Sequence, residues 1–248
     1  MKINQFLDAT YLKTARQAGL SEKENLQKVL QLTEEAIVNE YKLIMIRANY
    51  IGNVKNALAV VKSSVLIGTV IDFPEGNSSI GEKLEEAQKA IYAGAHELDF
   101  VLNYNAFKAG NISLLTDELS YCAALCLRHH KVVKFIIEVA ALSNEEIIVI
   151  SQLIKKVVLE NFGEENAKNV FVKSSTGFFK TPASKSNGAT IESMKLIYKN
   201  AKPLKIKAAG GVRDYGMALK MLALGVDRIG TSSSKEIINS ANNINLEY

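Results

Sequence analysis

Three ionisable residues stand where a buried strand should be apolar: Asp99 in Glu97-Leu98-Asp99-Phe100-Val101, Lys173 in Val170-Phe171-Val172-Lys173, and Lys207 in Lys205-Ile206-Lys207-Ala208. Side chains alternate faces along a strand. Leu98, Phe100 and Leu102 share one face, so Asp99 points the other way with Glu97 and Val101. By the same alternation Lys173 and Phe171 oppose Val170 and Val172, and Lys207 opposes Ile206 and Ala208. Buried charges are costly unless paired or used. A free lysine amine titrates near 10.4, but desolvation and a second nearby cation can lower that by about three units, roughly 4 kcal/mol. A neutral lysine attacks carbonyl carbon and forms a Schiff base, whose protonated imine accepts the electron pair of a breaking carbon–carbon bond. A nearby carboxylate can move the protons, directly or through water. A structural Lys–Asp–Lys triad is the alternative reading of the same three residues.

Two loops bear on that choice. Ala209-Gly210-Gly211-Val212-Arg213 follows one of the lysine-bearing segments, and Gly230-Thr231-Ser232-Ser233-Ser234 leads into the last helical stretch. Glycines admit an anion close to backbone N–H groups, serine hydroxyls add donors, and a helix N-terminus favours negative charge. Taken singly, each reads first as a tight turn or a serine helix cap. Together they predict a phosphate site in these two loops.

The elements that must carry these residues form one repeated pattern. Candidate strands cover 6–9, 42–47, 65–71, 97–102, 132–139, 169–174, 205–209 and 227–231. Helical periodicity covers 22–39, 53–62, 81–94, 113–129, 144–160, 191–200, 214–224 and 234–241. Ser21 with Glu24 reads as a capping box and Gly94 as a helix stop. Eight strand–helix units in 248 residues predict a single-domain α/β fold, a (β/α)8 TIM barrel over residues 1–240, with 241–248 as a polar, mobile tail. An open doubly wound sheet is the alternative. In such barrels active sites lie at the C-terminal ends of the strands, and the loops after strands seven and eight bind phosphate.

The composition narrows the function classes. With 48% of residues apolar, 15 Gly and 3 Pro, the chain is neither disordered nor collagen-like. The net charge of +4 is unclustered, which argues against nucleic acid as a partner. No secretory signal or membrane-length apolar run is visible, so a cytoplasmic location is expected. Cys122 and Cys126 read as small core residues. His96, His129 and His130 read as surface residues, with neither a metal nor another cofactor implied.

These residues also carry a resemblance. The runs Glu97-Leu98-Asp99-Phe100-Val101, Val172-Lys173-Ser174-Ser175-Thr176-Gly177 and Lys207-Ala208-Ala209-Gly210-Gly211-Val212-Arg213 resemble those of the deoxyribose-phosphate aldolases. So do Asp72-Phe73-Pro74-Glu75-Gly76-Asn77, Phe107-Lys108-Ala109-Gly110-Asn111 and Gly230-Thr231-Ser232-Ser233, and the likeness runs from Leu7 to about residue 240. It implies a class I aldolase that reversibly cleaves 2-deoxy-D-ribose 5-phosphate to acetaldehyde and D-glyceraldehyde 3-phosphate. Lys173 would form the Schiff base, Lys207 would lower its proton affinity, and Asp99 would work with a water. The resemblance further implies phosphate binding by the loops with Gly210, Gly211, Gly230, Ser232 and Ser233 and supporting roles for Asp8, Thr10 and Lys134, places Thr176 beside the imine, and lets Tyr248 assist a proton step. A homodimer is among the assemblies it implies. Another Schiff-base barrel aldolase, or a silent barrel that binds sugar phosphates, are the competing expectations. Three features depart from the family: Met45-Ile46-Arg47-Ala48 replaces a cysteine-containing strand, Ala9 stands for a common histidine, and Phe178 stands where some members carry lysine.

Overall fold

A computed structural model describes residues 2–182 and 186–245. Eight parallel strands close in sequence order, β1 next to β8: β1 (Leu7–Thr10), β2 (Leu43–Ile46), β3 (Leu66–Ile71), β4 (Glu97–Val101), β5 (Val132–Ile136), β6 (Val170–Lys173), β7 (Lys205–Ala209) and β8 (Arg228–Thr231). The barrel is therefore closed, and the open-sheet alternative is excluded. Around it run α1 (Ala15–Ala18), α2 (Glu22–Val38), α3 (Ile51–Val60), α4 (Ile80–Ala93), α5 (Tyr104–Lys108), α6 (Ile112–Arg128), α7 (Asn144–Phe162), α8 (Ile191–Ala201), α9 (Tyr215–Ala223) and α10 (Ser234–Asn245).

Local sequence sets many of these ends. Ser21 and Glu24 form the expected capping box at α2, and equivalent boxes start α4 at Ser79/Glu82 and α7 at Ser143/Glu146. The helix α10 continues through Asn245, well into the stretch expected to be a tail; Tyr248 lies outside the described residues. β5 stops at Ile136 rather than 139 because Glu138 adopts a left-handed backbone (φ 56°) that no strand accommodates. Among the described residues, no helix is long and apolar enough to cross a membrane.

The main core lies between the strands and the helices, where Leu98, Phe100, Val133, Phe135, Val170, Val172, Ile206 and Ala208 are buried. Cys122 and Cys126 belong to it as free, buried residues of α6. Inside the barrel the filling is divided. Leu12, Leu43, Met45 and Val70 form a separate apolar cluster beside β2 and β3, joined by Phe73 and Phe178. Charged side chains fill much of the rest.

Candidate active site

Cross-strand register brings the interior charges together. Asp99 on β4 pairs with Lys134 on β5, Lys173 on β6 with Lys207 on β7, and Lys207 with Arg228 on β8. Asp99 Oδ2 accepts from Lys173 Nζ at 2.8 Å and from Lys207 Nζ at 2.8 Å, while its Oδ1 accepts from Lys134 Nζ at 2.9 Å. The predicted convergence of two lysines and an aspartate is thus present, with a third lysine added.

The charges continue away from Asp99. Lys207 Nζ lies 2.6 Å from Asp8 Oδ2. Arg228 Nε donates to Asp8 Oδ1 at 2.7 Å, its Nη2 reaches the same oxygen, and its Nη1 donates to Glu97 Oε1 at 3.1 Å. Glu97 Oε2 in turn meets Lys134 Nζ. Arg228, Glu97, Lys134, Asp99, Lys207 and Asp8 therefore form a closed ring of alternating sign. Lys173 joins it from outside, through Asp99. Lys134 also lies 5.6 Å over the ring of Phe171, the inward-facing aromatic of β6.

This geometry sorts the proton affinities. Burial alone would raise Asp99, but Lys134, Lys173 and Lys207 outweigh it and hold the carboxyl well below its ordinary value. Asp8 is lowered against burial by Arg228, Lys207 and Lys134. Burial disfavours a charged Lys134, yet Asp99, Glu97 and Asp8 raise its proton affinity. Arg228 is raised likewise by Asp8 and Glu97. Lys173 moves the opposite way. Burial, with Lys207 and Lys134 adding to it, brings it down to about 8 although Asp99 pulls upward.

Of the three lysines on Asp99, Lys173 is the one that lines a cavity of about 620 Å³ at the C-terminal ends of the strands. Thr10, Thr176, Gly210, Gly211, Gly230 and Ser232 also line it. Lys134 and Lys207 sit beneath, fully buried. Asp8 faces the ion ring rather than the cavity, and Ser233 is not among the lining residues; its backbone N–H donates to Thr231 Oγ1.

The loops are tied to the strands that precede them. Ser174 Oγ donates to Ala209 O at 3.0 Å and accepts from Ala209 N, which joins the ends of β6 and β7. Thr231 Oγ1 donates to Val212 O and joins β8 to the loop after β7. Gly210 has φ +80° and its Cα approaches Gly188; a Cβ there would stand 2.9 Å from the Gly188 Cα. Glycine at 210 is thus required twice over, by backbone conformation and by contact.

Several residues of the site were not anticipated. Arg228 shares the inward face with Gly230, two positions on, so the alternation that exposed Lys207 could have found it. Glu138 is buried and accepts from Ser175 Oγ, Thr176 N and Thr176 Oγ1, which fixes the segment after Lys173. Its carboxyl is raised, chiefly by burial. The exposed cations Lys13 and Arg213 line the cavity without an ion-pair partner among the described residues. Asn187 lines it too, from a loop with no sequence signal. Arg47 donates to Leu12 O and Phe73 O and stacks on Phe73, against whose ring Phe178 sits edge-on at 5.0 Å.

A closed parallel barrel with a cavity-lining lysine above a buried ion cluster is the layout of a barrel enzyme whose chemistry sits at the strand C-termini. Residues 12–231 match the family described as DeoC/LacD family aldolase, and the chain belongs to that family; it is a carbon–carbon lyase. It is 33% identical to a deoxyribose-phosphate aldolase of Thermococcus gammatolerans over 98% of both chains, and 35% identical to one of Natranaerobius thermophilus over 97% of this chain and 98% of the other. It is also similar to the crystal structure of a putative deoxyribose-phosphate aldolase from Coccidioides immitis, with a TM-score of 0.81 and 26% identity over 97% of this chain and 86% of that one.

Proposed function

We propose that the chain reversibly cleaves 2-deoxy-D-ribose 5-phosphate to acetaldehyde and D-glyceraldehyde 3-phosphate through an imine on Lys173. One observation carries this reading: Lys173 is the amine that both faces the cavity and has its proton affinity brought down to about 8. Neutral Lys173 Nζ attacks the C1 aldehyde of the open-chain sugar, and loss of water leaves a protonated imine. Loss of the C3 hydroxyl proton then drives the C2–C3 electron pair into the imine. Glyceraldehyde 3-phosphate departs, an enamine remains on C1–C2, and protonation at C2 with hydrolysis releases acetaldehyde and frees the lysine.

Asp99 suits the work of holding Lys173 and Lys207 better than that of storing a proton, because its oxygens are engaged by three lysines. Its share in proton transfer runs through water. Lys207 supplies the second cation that lowers the proton affinity of Lys173, and Lys134 and Asp8 hold Asp99 and Lys207 in place. The loops with Gly210, Gly211, Gly230, Ser232 and Ser233 receive the phosphate, and Arg213 and Lys13, which line the same cavity, supply positive charge. Thr176, held by Glu138, borders the imine.

The test is borohydride reduction in the presence of acetaldehyde, followed by peptide mapping. An adduct on Lys173 that disappears in Lys173→Ala supports the reading; no adduct at saturating aldehyde refutes it. Turnover of 2-deoxyribose 5-phosphate well above that of ribose 5-phosphate and of the unphosphorylated sugar is the expected substrate order. A homodimer in solution is the assembly to be checked by light scattering.

A further inference from the structure

Glu97 and Arg228 sit on the side of the ion ring remote from Lys173, and neither lines the cavity. Both are almost wholly buried, at 2% and 6% exposure. Their chemistry is otherwise unused, yet a buried arginine between two carboxylates is an expensive choice for a barrel floor that leucine or valine could fill. The ring offers a reason. Its three cations, Lys134, Lys207 and Arg228, balance its three anions, Asp8, Glu97 and Asp99. Protonated Lys173 is then the seventh charge, and it makes the cluster net positive in a poorly solvated place.

We propose that Glu97 and Arg228 are positioning residues whose opposite charges keep the ring neutral, and that this neutrality governs whether Lys173 carries its proton. The inference rests on Lys173 being the imine-forming amine. The influence passes through the whole ring rather than by contact: Arg228 to Asp8 and Glu97, these to Lys207 and Lys134, and these to Asp99. Glu138, just beyond β5, is a further charged group that interacts with Lys173. Outside the ring, Glu97 also acts on His96. Neither Glu138 nor His96 is changed in the variants below, so their contributions stay constant.

The sign of the effect distinguishes this role from a merely structural one. Arg228→Gln leaves the ring with one excess negative charge, so Lys173 holds its proton more tightly. Glu97→Gln leaves one excess positive charge, so Lys173 releases it more easily. A unit charge acting through a partly buried site at an effective dielectric near 20 moves a titration by on the order of one pH unit. The double variant restores neutrality and returns the midpoint towards that of the unaltered protein.

The experiment is acetaldehyde trapping by borohydride from about pH 6 to about pH 10, with the adduct on Lys173 quantified by mass spectrometry. The midpoint is expected to rise by about one unit in Arg228→Gln, to fall comparably in Glu97→Gln, and to lie between them in the double variant. At pH 7 the arginine variant then traps about tenfold less in the same time. Arg228→Lys keeps the charge and should leave the midpoint close to the original, which serves if the glutamine variant does not fold; Glu97→Gln alone still reports the sign. Midpoints that stay put in folded variants, or that move the same way in both, overturn the inference while leaving the imine intact. No adduct in the unaltered protein at any pH overturns the reading of Lys173 itself.

Discussion

Replacing Lys207 by methionine should raise the proton affinity of Lys173 and slow imine formation at neutral pH about a hundredfold. Lys207 Nζ and Lys173 Nζ each lie 2.8 Å from the same oxygen of Asp99, so the two nitrogens are no more than twice that distance apart. Two unit charges about 5 Å apart at an effective dielectric near 20 repel by about 3 kcal/mol, equivalent to roughly two pKa units. Removing Lys207 therefore takes Lys173 from about 8 to about 10. At pH 7 an amine of pKa 8 is neutral in about one molecule in ten, and one of pKa 10 in about one in a thousand.

The assay is the initial rate of acetaldehyde trapping on Lys173 across a pH series. A second readout is needed, because the substitution strands part of the charge on Asp8 and Asp99 and should cost about 3–5 kcal/mol of stability. Circular dichroism melting identifies the temperature at which the variant is still folded. In the folded variant the rate should climb back as the pH approaches 10. Lys207→Arg, which keeps the cation, should retain most of the original pH dependence. A folded Lys207→Met protein that traps acetaldehyde at the original rate at pH 7, or whose midpoint falls, refutes the electrostatic account of Lys173.

Other consequences follow from the same contacts. Lys173 binds its proton less tightly folded than unfolded, so its own contribution to stability rises with pH between about 8 and 10.5, by up to roughly 3 kcal/mol, while the buried thiols Cys122 and Cys126, raised by burial, act in the opposite direction; the change in urea midpoint from pH 7.5 to 10 should therefore be more favourable in the unaltered protein than in Lys173→Met, which keeps the thiols. Asp99 and Asp8 are depressed, so their stabilisation is present above the ordinary 3.8 and is lost as the pH falls through their folded values, an acid transition that Asp8→Asn should weaken in urea titrations at low pH. In Gly230→Ala the new Cβ would stand 2.9 Å from Lys207 Cε and 3.3 Å from Ala209 Cβ, so the lysine must shift; a loss of about 1–3 kcal/mol in urea titration and a fall in kcat are expected. Arg213→Ala and Lys13→Ala remove exposed cations from the cavity and should each raise KM for the phosphorylated sugar severalfold, with acetaldehyde trapping unchanged.

What could be read beforehand depended on strand alternation. Lys173, Lys207 and Asp99 stand out because apolar neighbours on either side assign the opposite face, and register then carries them to one place. The same logic applies to Val133-Lys134-Phe135, where the family resemblance also points to Lys134. It applies again to Arg228-Ile229-Gly230, where one apolar residue between an arginine and a glycine gives only a weak alternation signal. Pairing partners are another matter. That Arg228 bridges Asp8 and Glu97 depends on barrel closure and stagger, which join the first, fourth and last strands and have no local signal. Glu138 was hidden for a different reason: nothing in Ile137-Glu138-Val139 announces a left-handed backbone, and the apolar run reads straight through it. The short helices α1 and α5 span too few residues for periodicity to show.

The divided interior explains why the proton affinity of a lysine beside so many charges is lowered rather than raised. On one side Leu43, Met45 and Val70, backed by Leu12, Phe73 and Phe178, exclude water from the barrel. That exclusion strengthens every pairing in the neighbouring ring and raises the cost of any charge left over. An ionic interior open to solvent would screen the ring and let Lys173 keep its proton. A wholly apolar interior would also lower the proton affinity of an isolated lysine, but would leave no Asp99 to hold its amine towards the cavity. The combination requires that the charges below Lys173 cancel among themselves, since any surplus anion would restore the proton that the apolar half removes. Lys173 is thus both oriented by Asp99 and easier to deprotonate than a free lysine, and the ring beneath it belongs to the chemistry as much as the amine does.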